Sequence, residues 1–486
     1  MEEKIKDNIS YSVEENLTYI KELLKDVSDV VYREFYIKDT KAVLLYIDGL
    51  ADKVLLNDFV LESVLKPDLK VHGIDEIKNK ILTVTDIKEV KKLSQAINGM
   101  LSGDTMMIID NNNGCFVIAS RAWPNRGVSE PSGETVVKGP REGFTETIRF
   151  NTVLIRRRIR DTRLKVKPKS LGVRSKTDSA IMYIEDIVNK PALEEVMRRL
   201  DTINVDAVLD SSYVEQLIED NKWSPFPQVQ ATERPDVVAA ALYEGRIAIL
   251  VDCSPFAIIV PATLPNLFQS PDDYNIKWMH ASIVRLIRLF AIIMALILPA
   301  LYVAVTSFHT AIIPTKLALS IAASREGVPF PAFIETIIME ISLALLMEAI
   351  VRLPKPIGAT IGIVGGLIIG QAAVSAGIVS PIMIIIVALT VLTTFITPNY
   401  EVALAFRISR FLLIIAAAVI GLYGIMLGLI VLLIHLARLN SFGIPYLAPS
   451  VNTEVTDLKD LYIRYPFRYF IHRPKYMNTG DKIRQK

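Results

Sequence analysis

The feature that most constrains this chain is its division along the length. Residues 1–280 are charged and irregularly patterned, whereas residues 286–437 are mainly Leu, Ile, Val, Ala and Gly. A helix apolar on every side must be buried in a large core or in lipid, and a run of this length holds several such helices. The expectation is an α+β soluble region of two mixed α/β subdomains, followed by an all-α multi-pass membrane domain. The overall 51% hydrophobic content of the 486 residues is an average over these two unlike halves.

Charge and motifs exclude several function classes. A formal net charge of +2 offers nothing to a polyelectrolyte, so no nucleic-acid partner is expected. Cys115 and Cys253 lie far apart and outside any CxxC or Cys/His ligand spacing, which predicts reduced, buried thiols. His72, His280, His309, His435 and His472 are scattered, so no metal site is expected. Phosphate-loop, dinucleotide, zinc-protease and nucleophile-elbow motifs do not occur, and neither an enzyme nor a cofactor is expected. The first six residues are charged and no apolar run follows within thirty, which predicts a first half left on the cytoplasmic side.

In the soluble half, Val13, Leu17, Ile20, Leu23 and Leu24 recur at helical spacing behind Ser12 and Glu15, a capping-box pair. Strands are predicted over 27–36 and 42–47 and a helix over 52–65. A first subdomain over 1–123 ends at the Pro/Gly-rich stretch 124–143, read as a linker, and a second fills 144–280. There, a helix is predicted over 144–159, running into the basic cluster Arg156, Arg157, Arg158, Arg160 and Arg163. That cluster reads either as a solvated face or as a contact with a subunit or anionic lipid. A Pro-led helix over 191–200 and a hairpin over 246–260 turning near 252–255 complete the pattern. Asp252 and the pair Glu233 and Arg234 read as turn and ion-pair residues.

The membrane domain, 281–438, is expected to hold spans near 286–307, 357–378, 381–397 and 411–437. Arg285 and Arg288 place the start of the first on the cytoplasmic side, and the tail 439–486, where basic residues outnumber acids, is placed there too. Two ends on one side require an even number of spans. The segment 332–350 is the one demoted, because Glu335, Glu340 and Glu348 interrupt it and a charge at mid-bilayer costs about 2.5–3.5 kcal/mol. It is read as an interfacial or re-entrant helix, or as one facing a polar pathway. Glu340, Glu348 and Arg352 fall within an arc of about 120° while Glu335 lies elsewhere, and Glu348 and Arg352 are an i,i+4 pair. Gly358, Gly362, Gly366 and Gly370 form a ridge suited to close helix packing, with a weaker version at Gly424 and Gly428. The loop 324–331 offers Arg325 and Glu326 as coupling residues.

Four runs carry a resemblance. GPREGFTE at 139–146, FNTVLIRRRIR at 150–160, FPQVQATERPD at 226–236 and LYEGRIAILVD at 242–252 are similar to the signature of the GerA family of spore germination proteins. PALYVAVTSFH at 299–309 and SIAASREGVPFP at 320–331 resemble the A subunits of nutrient germinant receptors rather than the SpoVAF subgroup. The resemblance implies a bacterial cell membrane protein of the spore inner membrane, its N-terminal domain and C-terminal tail on the core side. It implies a transporter-like B subunit and a lipoprotein C subunit as partners, and a homo-oligomer, a pentamer being one form, that passes monovalent cations through the lipid bilayer. On that reading Glu335, Glu340, Glu348 and Arg352 are candidate pore or polar-pathway residues. The alternatives are a SpoVAF-like accessory channel protein and a non-conducting scaffold of the receptor complex.

Overall fold

The computed structural model describes residues 5–485 except 66–76, 78–80, 123–129, 132, 353–365, 367–369 and 452–456. The soluble half holds two five-stranded antiparallel sheets that repeat one topology. In the first, β1 (Val30–Ile37), β2 (Thr40–Ile47), β3 (Ile87–Val90), β4 (Thr105–Ile109) and β5 (Cys115–Ile118) lie in the order β1-β2-β4-β5-β3. In the second, β6 (Leu164–Leu171), β7 (Thr177–Ile184), β8 (Gln230–Thr232), β9 (Ile247–Val251) and β10 (Ala257–Val260) lie in the order β6-β7-β9-β10-β8. The second order is the first advanced by five strands.

Each sheet is the middle layer between two cores, because its side chains alternate between faces. Along β2 and β4, Val43, Leu45, Met106 and Ile108 meet helices α1 (Val13–Leu23) and α2 (Leu93–Leu101). Leu44, Met107 and Ile109 meet the opposite core, under the helical run 53–64. Ser12 caps α1 as its spacing predicts, its hydroxyl accepting from Glu15 N at 3.5 Å. In the second subdomain, helices α3 (Ile148–Arg156), α4 (Lys190–Asp201), α5 (Ser211–Ile218) and α6 (Pro235–Tyr243) cover the sheet. The helix predicted over 144–159 is thus shorter at both ends. Asn151 bonds both Thr145 N and Thr145 O, and Asp252 Oδ1 accepts from Ile148 N at 2.9 Å, so the hairpin tip fixes where the helix starts. At that same tip Cys253 takes φ +65 and is exposed, contrary to the buried thiol expected, while Cys115 is buried inside β5.

Only Arg160 of the basic cluster is exposed as on a solvated face; the other four are engaged in ion pairs, and Arg156 joins the two subdomains. Arg156 is 1% exposed and grips Asp29 through two bonds of 2.6 and 2.7 Å. Arg157 and Arg158 hold Glu142, and Arg163 holds Asp161 and Asp186. Backbone bonds between Ser28 and Val166 and between Val166 and Asp26 complete the joint.

The apolar half is a helical bundle standing on the second subdomain. Its elements are α7 (Trp278–Ser307), α8 (Thr315–Arg325), α9 (Ala332–Arg352), α10 (Pro381–Phe395), α11 (Tyr400–Ile420) and α12 (Leu422–Arg438). Only α7 and α11, among the described residues, are both long and apolar enough to cross a membrane by length and composition. The single helix expected over 411–437 is overturned. Gly421, at φ +61, breaks it, and the chain folds back as an antiparallel hairpin of α11 and α12. There Gly424 and Gly428 are the close-packing glycines: a Cβ would fall 2.0 Å from Ala416 O at the first and 2.5 Å from Leu413 Cδ2 at the second. The tail does not trail into solvent; it packs back on the soluble half through Ser441 to Gln228 O, Met477 O to Asn189 and Arg473 to Tyr243 O.

Candidate functional site

The bundle's interior holds charges, and each is placed by a local rule. Ser380 precedes Pro381 and caps α10, its hydroxyl accepting from Met383 N. Glu335, 0% exposed on α9, sits at this helix N-terminus. Its Oε1 accepts from Ser380 N at 2.6 Å and from Ser380 Oγ at 2.5 Å, and its Oε2 accepts from the Tyr302 hydroxyl at 3.2 Å. The positive end of a helix dipole and free backbone N–H groups are what a buried carboxylate needs. Arg325, at the end of α8, brings Nε to 3.6 Å from the same carboxylate. The proposed coupling loop and the acid-bearing helix therefore meet, through Arg325 and Glu335; Glu326 is exposed and takes no part.

One and a half turns further along α9, Glu340 is 3% exposed and lies 3.2 Å from Arg410 Nη2 on α11. Arg410 Nη1 also donates to Ala295 O at 3.1 Å, on α7. Glu348 and Arg352 form their i,i+4 pair at 2.5 Å, but on an exposed face. The arc that grouped Glu340 with Glu348 thus separates in space: Glu340 joins Glu335 inside, and Glu348 stays outside. An interfacial helix with all three acids in water does not describe α9, since Glu335 and Glu340 are buried and Glu348 alone of the three is exposed. Gly358 and Gly362 lie outside the described residues. Gly366 would meet nothing within 4 Å, and Gly370 makes an ordinary 3.7 Å contact with Ile384, so neither is a close-contact point within the described chain.

A second charged cluster fixes the bundle to the soluble half. Asp273 is fully buried between Arg285 and Arg288 at 2.9 to 3.0 Å, and Asp460 from the tail reaches Arg285 at 2.7 Å. The arginines read as flanking charges are therefore within α7 and paired. At the base of the hairpin, His435 Nε2 lies 2.9 Å from Ser224 Oγ. Beside it Glu215 on α5 faces Glu401, and burial, followed by the Glu401 charge, pushes the Glu215 carboxyl well above its usual range.

The contacts also give directions. Tyr302 and Glu335 meet at the end of α7 farther from the soluble half, and Glu340 meets Arg410 nearer to it, so α9 runs back toward that half. α10 also returns, α11 leaves with its far end at His309, and α12 comes back to Ser224. Sequence reasoning missed Tyr302, Ser380 and Arg410. Two signals were present: Ser-Pro is a helix start, and an arginine well inside an apolar run marks a buried partner.

The chain matches the sequence model of the Bacillus/Clostridium GerA spore germination protein over residues 18–476. It is 42% identical to spore germination protein GerLA of Bacillus cereus over 96% of each chain. It is 40% identical to spore germination protein KA of Bacillus subtilis over 98% of this chain and 89% of that one, and 40% identical to spore germination protein B1 of Bacillus subtilis over 98% and 100%. Among solved structures, the N-terminal domain of the A subunit of the Bacillus megaterium spore germinant receptor GerK3 covers 54% of this chain and 99% of its own, at 34% identity and a TM-score of 0.43.

Proposed function

Because the chain belongs to the GerA family of spore germination proteins and is most like its receptor A subunits, we propose that it is the membrane subunit of a spore nutrient germinant receptor. It works beside a transporter-like B subunit and a lipoprotein C subunit in the spore inner membrane, with the soluble half and the tail facing the core. The observation that carries the membrane reading is the outward apolar belt of the bundle. Phe290 and Ile293 on α7, Leu412 and Val419 on α11, and Val431 and Ile434 on α12 are all exposed, and so much apolar surface demands lipid or another subunit. The helix directions favour α9 as a pass of its own in place of an interfacial helix, since it carries its first two acids inward.

On this reading the receptor transduces nutrient binding into release of monovalent cations through an oligomer of this chain. Glu335 and Glu340 are held by Arg325 and Arg410, so conduction requires these pairs to part and turn their carboxylates toward the pathway. Gly366 meets no atom of the described residues within 4 Å, and a glycine on a helix suits a contact between subunits. The same internal pairing favours a second reading, a non-conducting scaffold, because a single chain already neutralises both acids. Spores lacking this chain are expected to stop releasing cations on exposure to the cognate nutrient and to recover on its re-expression. An unchanged nutrient response in the deletion strain overturns the receptor role.

A further inference from the structure

A cavity of about 370 Å³ lies where the second soluble subdomain, the segment preceding it, the α10–α11 turn and the tail meet. Four residues on its wall each hold a buried polar atom with no hydrogen-bond partner among the described residues: Gln230 Oε1, Asp236 Oδ1, Arg246 Nη2 and Asn266 Nδ2. Such atoms are few in native proteins, and four around one cavity need a common cause. Arg246 is 4% exposed and its position is fixed, Nε donating to Pro261 O at 2.7 Å. Asp236 is fixed likewise by Arg234 at 2.9 Å. Two of the four atoms are donors and two are acceptors.

We propose that this cavity binds a small dipolar organic molecule. Its carboxylate or comparable oxygen end meets Arg246 and Asn266, and its ammonium or amide end meets Gln230 and Asp236. A planar carboxylate suits a guanidinium, and a cationic or amide N–H suits the Asp236 carboxylate. The size is that of a small-molecule site, at a junction between domains where such sites concentrate. The wall also includes Asn399, whose side chain caps α11 through Val402 N at 3.0 Å, and Arg484 near the chain's end. An occupant therefore touches the soluble half, the start of a bundle helix and the tail together, and it stabilises the arrangement in which all three are docked.

The test uses the full chain in nanodiscs, with glycylglycine as the dipolar probe and acetate and methylammonium as single-ended controls. Glycylglycine is expected to raise the unfolding temperature and to give a saturable NMR saturation-transfer signal, while neither control does. Because Arg246 also supports Pro261, the informative variants are Gln230→Met, expected to bind about fivefold to tenfold more weakly through loss of one hydrogen bond, and Ala240→Trp, expected to abolish binding by filling the cavity. No saturable signal from the wild type, or an undiminished one in both variants, overturns the site and leaves a cavity that holds water only.

Discussion

A carboxylate that leaves water must find charge and hydrogen bonds elsewhere, and Glu335 and Glu340 do so differently. Glu335 has a helix terminus, two hydroxyls and an arginine, whereas Glu340 depends on Arg410, and one of its oxygens has no hydrogen bond among the described residues. Removing one partner of a buried pair strands the other charge, so Glu340→Met is expected to destabilise the detergent-solubilised chain by about 3–5 kcal/mol. The double variant Glu340→Met with Arg410→Met should recover most of that loss in thermal unfolding. At the cavity wall, burial raises the Glu134 carboxyl to about 7, against the opposing pull of its bond from the Thr232 hydroxyl. Between pH 4.5 and 7 the folded chain keeps this proton while the unfolded chain loses it. Stability therefore falls across that window as pH rises, and the loss is complete above it. Glu134→Gln removes the group, so its unfolding temperature relative to wild type should climb from pH 4.5 to pH 7 and then level off. A pH-independent difference contradicts the assignment. These acids are legible in the sequence as residues to test, but their partners are not: Arg410 falls just before the span expected near 411–437, whereas the true helix starts ten residues before it, at Tyr400.

The hairpin of α11 and α12 turns on two glycines with different duties. Gly421 supplies the positive φ, and Gly424 supplies the absence of a Cβ beside Ala416 O. Gly424→Ala must push the two helices apart and is expected to cost about 1–3 kcal/mol in detergent unfolding, the range of overpacking. Gly366→Ala meets no described atom and should leave that unfolding unchanged. If Gly366 lies between subunits, the change instead shifts the oligomer distribution, read by native mass spectrometry. Periodicity found α1, the strands near β1 and β2 and the hairpin of β9 and β10, because alternation and capping are local. It missed the fold-back at Gly421, since hydropathy is the same on both sides and nothing local reports a backbone angle. The repeat of the two sheets was equally hidden, as topology is shared without a shared residue pattern.

At the scale of the molecule, the soluble half is two like units locked by Arg156 on Asp29, and the bundle is locked to it by Asp273, Asp460 and the returning tail. These joints, with His435 on Ser224, are routes by which a signal that starts in one part can reach another. Arg156→Met leaves Asp29 without its guanidinium partner and is expected to destabilise the isolated soluble half by about 3–5 kcal/mol in urea unfolding. A charge run at this position looked like a surface feature because sequence alone does not reveal that Asp29, more than a hundred residues earlier, lies opposite it. The most direct test of the central claim is rubidium efflux from proteoliposomes holding this chain with its B and C subunits. The expected result is efflux that begins on addition of the nutrient and changes when the Glu340–Arg410 pair is replaced by two methionines. Sealed vesicles, with the complex assembled and the nutrient bound, would contradict the channel and leave the chain a scaffold.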